Sequence, residues 1–260
     1  MNRKEGRGVR SVEVSAELLE ALAASCTPMM LRDLASTAGM APAQAHAYLT
    51  SLRTLGLVEQ EPGSARYRLG PAALDLGIVR MRSVDPIRVG QEAAAALSAQ
   101  TGFSIAIVVW GSFGPTVIQV HEGPDQIHIN TKAGTVYSIT GTASGRVFAA
   151  FGPDRMVGKA LAAERRSGAP GRVGNTATLT AEDIAVIRRE GYATVSPPPV
   201  PGVNALSVPV FDLSGVMQFA ITMIGAAALL DTTPASPFLP PLKAAAAHVS
   251  QELGADQGLD

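Results

Sequence analysis

The sequence of residues 31–70 is LRDLASTAGMAPAQAHAYLTSLRTLGLVEQEPGSARYRLG, and together with residues 10–30 it decides the fold. Apolar residues recur at helical spacing on both sides of Gly39, which separates two short helices. Two segments with strand character then flank the turn Pro62-Gly63-Ser64. Three helices followed by a two-stranded wing form the outline of a winged helix-turn-helix, which places one helix in a DNA groove. This stretch therefore predicts DNA binding.

The predicted core of this segment is a set of apolar residues at spacings of three and four. It comprises Leu18, Leu19, Leu22, Leu31, Leu34, Ala35, Ala45, Tyr48, Leu49, Leu52 and Leu55.

The composition allows two domains and argues against several classes of protein. The chain has 260 residues, of which 47% are hydrophobic and 17% charged. No apolar run reaches the roughly 20 residues that span a bilayer, and because no apolar run follows the basic first residues we expect no signal peptide. We therefore expect a soluble, cytoplasmic protein without membrane contact. Cys26 stands alone, so we expect no intramolecular disulfide and no zinc site built from thiolates. We expect no other metal and no cofactor.

The charge distribution agrees in sign with a DNA-binding N-terminal part. The whole chain has a net charge of −1, but residues 1–84 hold ten Lys or Arg against eight Asp or Glu. This bias is small, so the position of each cation matters more than the total.

The remainder of the chain indicates a helix and then a larger α/β domain. Residues 71–84 are predicted as a linker helix, which divides the winged helix of residues 1–70 from an effector-binding and oligomerisation domain over residues 85–260. In the latter we predict strands over 103–110, 116–121, 125–131, 205–211 and 216–224, and helices over 86–99, 142–151, 153–163, 181–190 and 237–253. Thr180 and Asp183 form a variant of a capping box before the helix at 181–190. The fold class is α+β, with a mostly antiparallel sheet in the second domain.

Several short motifs in order give the chain a resemblance to the IclR family of bacterial transcriptional regulators. Val9-Arg-Ser-Val-Glu13, Gly56-Leu-Val-Glu59 and Tyr67-Arg-Leu-Gly-Pro71 resemble its DNA-binding half. Residues 134–146, 201–203, 209–212 and the strand that ends at Gly225 resemble its C-terminal half. The resemblance implies a winged helix-turn-helix, a linker helix and a GAF/PAS-like effector-binding domain. It also implies a homodimer or dimer of dimers on a double-stranded DNA operator.

The recognition helix departs from the pattern of that family. Pro42, Ala43 and Gln44 stand where the family usually has Lys-Ser-Thr, and Ala47 follows His46 where an Arg is usual. Gln44 is suited to pair with adenine and Ala43 to contact a thymine methyl group. His46 either contacts DNA or completes a hydrogen-bond network inside the helix bundle, and Tyr48 is expected in the core.

Phosphate binding should then fall more heavily on the wing and the N-terminal arm. The predicted DNA-binding residues are Arg10, Ala43, Gln44, His46, Thr50, Arg53, Arg66 and Arg68, with Arg3, Lys4 and Arg7 as further cations of the arm.

An effector site is expected where Thr142-Ala-Ser-Gly145 opens a helix, since free N–H groups at a helix N-terminus favour an anion. The backbone of Ala143, Ser144 and Gly145 would hold a carboxylate. The alternative is that Gly141 and Gly145 serve tight packing alone. By the resemblance, the opposite wall comprises Val195, Ala205, Thr222 and Ile224, with Ile127 or Ile129 nearby. Of the four wall positions only Thr222 carries a hydroxyl group, which favours an organic acid with an aromatic or aliphatic body.

Taken together, these features predict a ligand-responsive regulator of a catabolic operon, which we expect to be a repressor. Two alternatives stay open: a DNA-binding scaffold whose C-terminal domain senses nothing, and an enzyme domain fused to a winged helix. The sequence contains no Gly-x-Ser-x-Gly motif. We interpret His121 and His128 as surface strand residues and Asp212 as a turn residue. No catalytic residue is therefore predicted.

Overall fold

The computed structural model describes residues 9–25, 27–123, 131–167, 172–174 and 177–255. The chain divides into two compact units, residues 1–83 and 84–260, each of which is described by itself. Several sequence predictions lie outside the described residues: the thiol of Cys26, the cations Arg3, Lys4 and Arg7, Ile127, His128, Ile129 and most of the strand at 125–131.

The first unit has the predicted winged helix-turn-helix. Its elements are α1 (Arg10–Ser25), α2 (Leu31–Thr37), α3 (Pro42–Thr54), β1 (Val58–Gln60), β2 (Tyr67–Leu69) and α4 (Pro71–Ser83). The two strands pair antiparallel, with Val58 opposite Leu69 and Gln60 opposite Tyr67. Gly39 adopts a positive φ of 65° in the turn before α3, a conformation that glycine adopts without strain.

The core of the first unit is built from the predicted apolar stripe. Leu18, Leu34, Ala35, Ala45 and Leu49 are completely buried, and Tyr48 packs half-buried against them. The prediction for Leu55 was wrong, because its side chain is 65% exposed. Leu55 is the C-cap of α3, which ends at Thr54, and the helical spacing no longer directs its side chain to the core.

The second unit contains a four-stranded sheet flanked by helices. Its elements are α5 (Pro86–Thr101), β3 (Ser104–Gly111), β4 (Gly114–His121), α6 (Ala143–Phe151), α7 (Asp154–Ser167), α8 (Ala181–Glu190), β5 (Val203–Phe211), β6 (Met217–Ala226) and α9 (Leu239–Glu252). The strand order is β4-β3-β6-β5, and each neighbouring pair is antiparallel. The predicted α+β class with an antiparallel sheet is confirmed.

Helices cover both faces of this sheet, which explains why its strands are apolar almost throughout. Ile105 and Ile107 of β3 face a core shared with α5 and α9. The intervening Ala106 and Val108 face a second core, to which α6 and α8 contribute Phe148 and Ile187. This alternation follows from the two-residue period of a strand. The second core borders the candidate functional site of this unit.

Local capping fixes where two helices of this unit begin. The Asp85 carboxylate accepts hydrogen bonds from the backbone N–H groups of Ile87 and Arg88 at the start of α5. Thr180 and Asp183 form the predicted capping box at the start of α8. No helix within the described part of the chain is long and apolar enough to cross a membrane.

Candidate DNA-binding surface and ligand pocket

The outer face of α3 presents the predicted DNA-contacting residues to solvent. Ala45, Leu49 and Leu52 hold the helix against the core. The opposite side carries exposed residues at spacings of three and four, namely Ala43, Gln44, His46, Thr50 and Arg53. Pro42 occupies the first helical turn, where the missing N–H breaks no helical hydrogen bond.

Only some of these residues retain a free donor. The His46 ring makes no hydrogen bond with any residue that the structure describes, which disfavours a network inside the bundle. The Thr50 hydroxyl group donates to the His46 carbonyl oxygen at 2.9 Å, so its hydrogen is used within the helix. Gln44, His46 and Arg53 are therefore the side chains of α3 best suited to donate to base edges or phosphates.

The cations of the wing are less free than the sequence predicts. Arg68 Nε lies 2.7 Å from Glu59 Oε1, and the two side chains are 49% and 40% exposed. Arg66 Nη1 donates to the Pro28 carbonyl oxygen at 3.3 Å. Arg10, at the start of α1, is 3.8 Å from Glu13 and largely exposed. These three cations lie on the surface of the first unit, but Arg10 and Arg68 each pair with a carboxylate.

A mostly apolar pocket lies in the second unit between the start of α6 and the sheet. The volume of the cavity is about 50 Å³. Its lining consists of hydroxyl-bearing and apolar side chains: Thr131, Tyr137, Thr142, Ala143, Ser144, Val173, Val195, Pro198, Pro199, Val200, Val203, Ala205, Thr222 and Ile224. Six predicted effector-binding residues are brought together here: Ala143, Ser144, Val195, Ala205, Thr222 and Ile224.

Gly145 does not line this pocket, and the structure corrects its predicted role. Its N–H group donates to the Thr142 hydroxyl oxygen at 3.0 Å and is therefore not available to a ligand. A Cβ atom at this position would collide with the Ser138 carbonyl oxygen. Tight packing accounts for this glycine.

Ala143 and Ser144, the two residues before Gly145, have backbone N–H groups without a partner among the described residues. Both residues line the pocket at the positive end of α6. The pocket therefore offers two free amides to an acceptor.

A chain of three buried hydroxyl groups lies beside these amides. Thr222 Oγ1 is 2.8 Å from Ser144 Oγ and 2.8 Å from Ser207 Oγ. Three hydroxyl hydrogens serve two hydrogen bonds, so one hydrogen is left over. Ser207 is completely buried and has no other side-chain partner among the described residues, which places the spare donor more favourably on Ser144 or Thr222, both in the pocket.

Sequence reasoning missed several lining residues. Tyr137 is buried, and burial raises the pKa of its phenol despite a hydrogen bond to Thr131. Its ring is thus a neutral wall. The segment from Pro198 to Val200 also lines the pocket. The sequence shows that this segment is rich in proline, but not that it lines a pocket.

The described residues show no catalytic constellation at the positions considered from sequence. Asp212 accepts hydrogen bonds from the backbone N–H groups of Ser214 and Val216, as expected of a turn residue. His121 Nε2 is 3.0 Å from the Gln119 amide. No group of three His, Cys, Asp or Glu side chains suited to a metal ion occurs in the part of the chain that the structure describes.

Comparison with known families decides the identity of both units. Residues 81–251 match the family described as bacterial transcriptional regulator IclR C-terminal, and residues 11–62 match the IclR helix-turn-helix domain. The chain belongs to the IclR family. It is thus a DNA-binding transcriptional regulator, and the wing and α3 are parts of its DNA-binding domain.

Individual relatives agree with this assignment along nearly the whole chain. The glycerol operon regulatory protein of Streptomyces griseus is 30% identical over 252 residues, which are 96% of this chain and 98% of the relative. The DNA-binding transcriptional repressor YiaJ of Escherichia coli is 26% identical over 251 residues, which are 95% of this chain and 89% of the relative. The crystal structure of Pseudomonas aeruginosa HmgR superimposes with a TM-score of 0.86 at 31% identity, over 96% of this chain and all of that one. The Streptomyces griseus protein and YiaJ are both named as regulators.

Proposed function

We propose that this IclR-family regulator represses a catabolic operon and releases its operator when an organic acid with an aromatic or aliphatic body binds the pocket of the second unit. The observation that carries the proposal is the pairing of two free amides, Ala143 and Ser144, with a largely apolar wall.

The amides account for the acid group of the ligand. The first N–H groups of a helix have no partner within the helix and carry the positive end of its dipole. A carboxylate that accepts both hydrogen bonds satisfies donors that are otherwise buried without a partner.

The wall accounts for the body of the ligand. Val195, Ala205 and Ile224 offer no hydrogen-bonding side-chain group, and Ser144 and Thr222 beside them have one hydroxyl hydrogen to spare. Beyond that one donor, a small polar acid would leave its remaining polar groups unpaired against the three apolar side chains. An aromatic or aliphatic body buries apolar surface there instead.

The relatives support the regulatory part of the proposal. The Streptomyces griseus protein is named for a glycerol operon, and YiaJ is named as a repressor. Helix-turn-helix regulators bind paired half-sites as two-fold symmetric oligomers. Leu76 and Val79, exposed and three residues apart on α4, supply an apolar surface for such a homodimer or dimer of dimers.

The size of the pocket favours one competing function, a scaffold that senses no ligand. A cavity of about 50 Å³ holds only a few water molecules. An acid the size of benzoate therefore requires the pocket to widen.

Titration calorimetry separates the sensor from the scaffold. The full-length protein is titrated with benzoate, phenylacetate, hexanoate and glyoxylate, and the same acids are added to the protein bound to its own promoter region. We expect heat and DNA release with the first three acids and neither with glyoxylate. Binding of glyoxylate alone would contradict the ligand class, and absence of heat with all four would favour the scaffold.

A further inference from the structure

Glu164 is a buried carboxylate that no part of the proposed function has used. It lies on α7, and its side chain is completely shielded from solvent. Its two oxygens accept hydrogen bonds from Ser138 Oγ at 2.8 Å, the Ile139 N–H at 2.9 Å and the Thr140 N–H at 3.0 Å. The Thr140 hydroxyl group and Arg172 Nη1, the latter at 3.2 Å, complete the set.

This number of donors explains how a buried charge is tolerated. An unpaired carboxylate in the interior would be strongly destabilising. Burial by itself raises the pKa of Glu164, but the hydrogen bonds from Thr140, Ile139 and Ser138 outweigh it and leave the pKa below its usual value. Glu164 is therefore ionised at neutral pH.

The donors belong to the segment that leads directly into α6. The Thr142 hydroxyl group donates to the Ser138 carbonyl oxygen at 2.7 Å and accepts from the Gly145 N–H at 3.0 Å. The Gly141 N–H donates to Ser138 Oγ at 2.9 Å. The carboxylate thus holds Ser138, Ser138 holds the N-cap Thr142, and Thr142 sets the first turn of α6.

A second connection runs from Glu164 to another part of the pocket wall. Arg172, which pairs with the carboxylate, immediately precedes Val173 in the chain. The Val173 carbonyl oxygen accepts from the Ser138 N–H, and the Val173 N–H donates to the Val136 carbonyl oxygen, both at 2.9 Å. Val173 itself lines the pocket.

We propose that Glu164 is a positioning residue for the ligand pocket, because it fixes the free amides of Ala143 and Ser144 through residues 138–142 and the Val173 wall through Arg172. It touches no ligand itself. The inference rests on the proposed function, since it assumes that those amides bind a carboxylate.

The proposal predicts a selective effect on the acid group of a ligand. Misplaced amides weaken the hydrogen bonds to a carboxylate, whereas contacts between an apolar body and the sheet side of the pocket persist. A residue with only a structural role would weaken an acid and its neutral amide equally.

The test compares phenylacetate with phenylacetamide by calorimetry on the full-length protein. The wild type should prefer the acid, and Glu164→Gln should reduce that preference about tenfold, equivalent to about 1.4 kcal/mol. The control is Ser98→Ala, which removes a buried hydroxyl group that donates to the Phe103 carbonyl oxygen on the α5 side of the sheet. Its preference should match the wild type. An unchanged preference in Glu164→Gln would overturn the proposal.

Two further measurements keep the proposal testable if that variant misfolds or neither probe binds. Arg172→Met removes only the ion pair and should reduce the preference for the acid by a smaller factor. If Glu164→Gln does not fold, an unchanged preference in Arg172→Met overturns the proposal. If the wild type binds neither probe, the ligand class fails, and amide hydrogen exchange at Gly145 and Arg146 decides the role of Glu164. Faster exchange in the folded variant than in Ser98→Ala supports it, and equal exchange overturns it.

Discussion

Glu59 and Arg68 face each other across the wing, in register on β1 and β2, with Arg68 Nε 2.7 Å from Glu59 Oε1. Because both side chains are about half exposed, the pair contributes little to folding stability. Its larger effect is on binding, since the carboxylate competes with phosphate for the same guanidinium group.

Substitution of Arg66 and Arg68 together by Ala should weaken binding to operator and random DNA alike. Each phosphate contact that is lost should lower the slope of log K against log salt by about 1. Salt titrations by fluorescence anisotropy measure the affinity for each DNA and the slope of log K against log salt. Glu59→Gln frees the Arg68 guanidinium group from its carboxylate partner and should therefore strengthen binding to both DNAs. An unchanged slope in the double variant would exclude the wing from DNA binding.

The sequence predicts the first unit well because its structure depends on local patterns. Helical spacing identifies Leu18, Leu34 and Leu49 as core, and the turn residues around Gly63 identify the wing. Leu55 fails for a local reason as well, since the apolar stripe continues one residue beyond the end of α3.

The ligand pocket is less predictable because it depends on contacts between distant parts of the chain. Ser144 and Thr222 share a hydrogen bond across 78 positions, and Glu164 meets Thr140 across 24. No spacing rule connects such pairs. The resemblance to the IclR family located the two walls, but it could not indicate that the Gly145 N–H is used by Thr142.

Gly145→Ala should destabilise the second unit by more than about 2 kcal/mol, because the new methyl group collides with the Ser138 carbonyl oxygen. Urea denaturation monitored by circular dichroism gives the change in the free energy of unfolding. Gly158→Ala is the matched control. Gly158 lies within α7, and a Cβ there meets no atom within 4 Å. Because alanine has the higher helix propensity, Gly158→Ala should stabilise the protein by about 0.5–1 kcal/mol. Equal effects of the two substitutions would contradict the close packing at Gly145.

Thr222→Val should destabilise the protein by about 1–3 kcal/mol, because it leaves the buried hydroxyl groups of Ser144 and Ser207 without their shared partner. Valine has nearly the shape of threonine, so the loss reports the hydroxyl group rather than a cavity. Thermal and urea unfolding provide the measurement. The control Thr222→Ser keeps the hydroxyl group and should restore the hydrogen bonds while losing one methyl group. A Val variant as stable as the wild type would show that the hydroxyl chain contributes nothing.

The stabilisation that Glu164 provides should depend on pH in a defined direction. Burial raises the pKa of this carboxyl group, but its hydrogen bonds more than compensate, so the folded-state pKa is below the ordinary value of 4.5. Above pH 4.5 the group is ionised in both folded and unfolded states, and its full contribution is present. As the pH falls below 4.5 towards the folded-state pKa, the unfolded chain takes up the proton first and the contribution is lost. The difference in free energy of unfolding between the wild type and Glu164→Gln should therefore be largest at neutral pH and shrink below pH 4.5. Urea denaturation of both proteins across this range provides the measurement, and the other carboxyl groups cancel in the difference. A difference that stays constant or grows on acidification would contradict the charged network around Glu164.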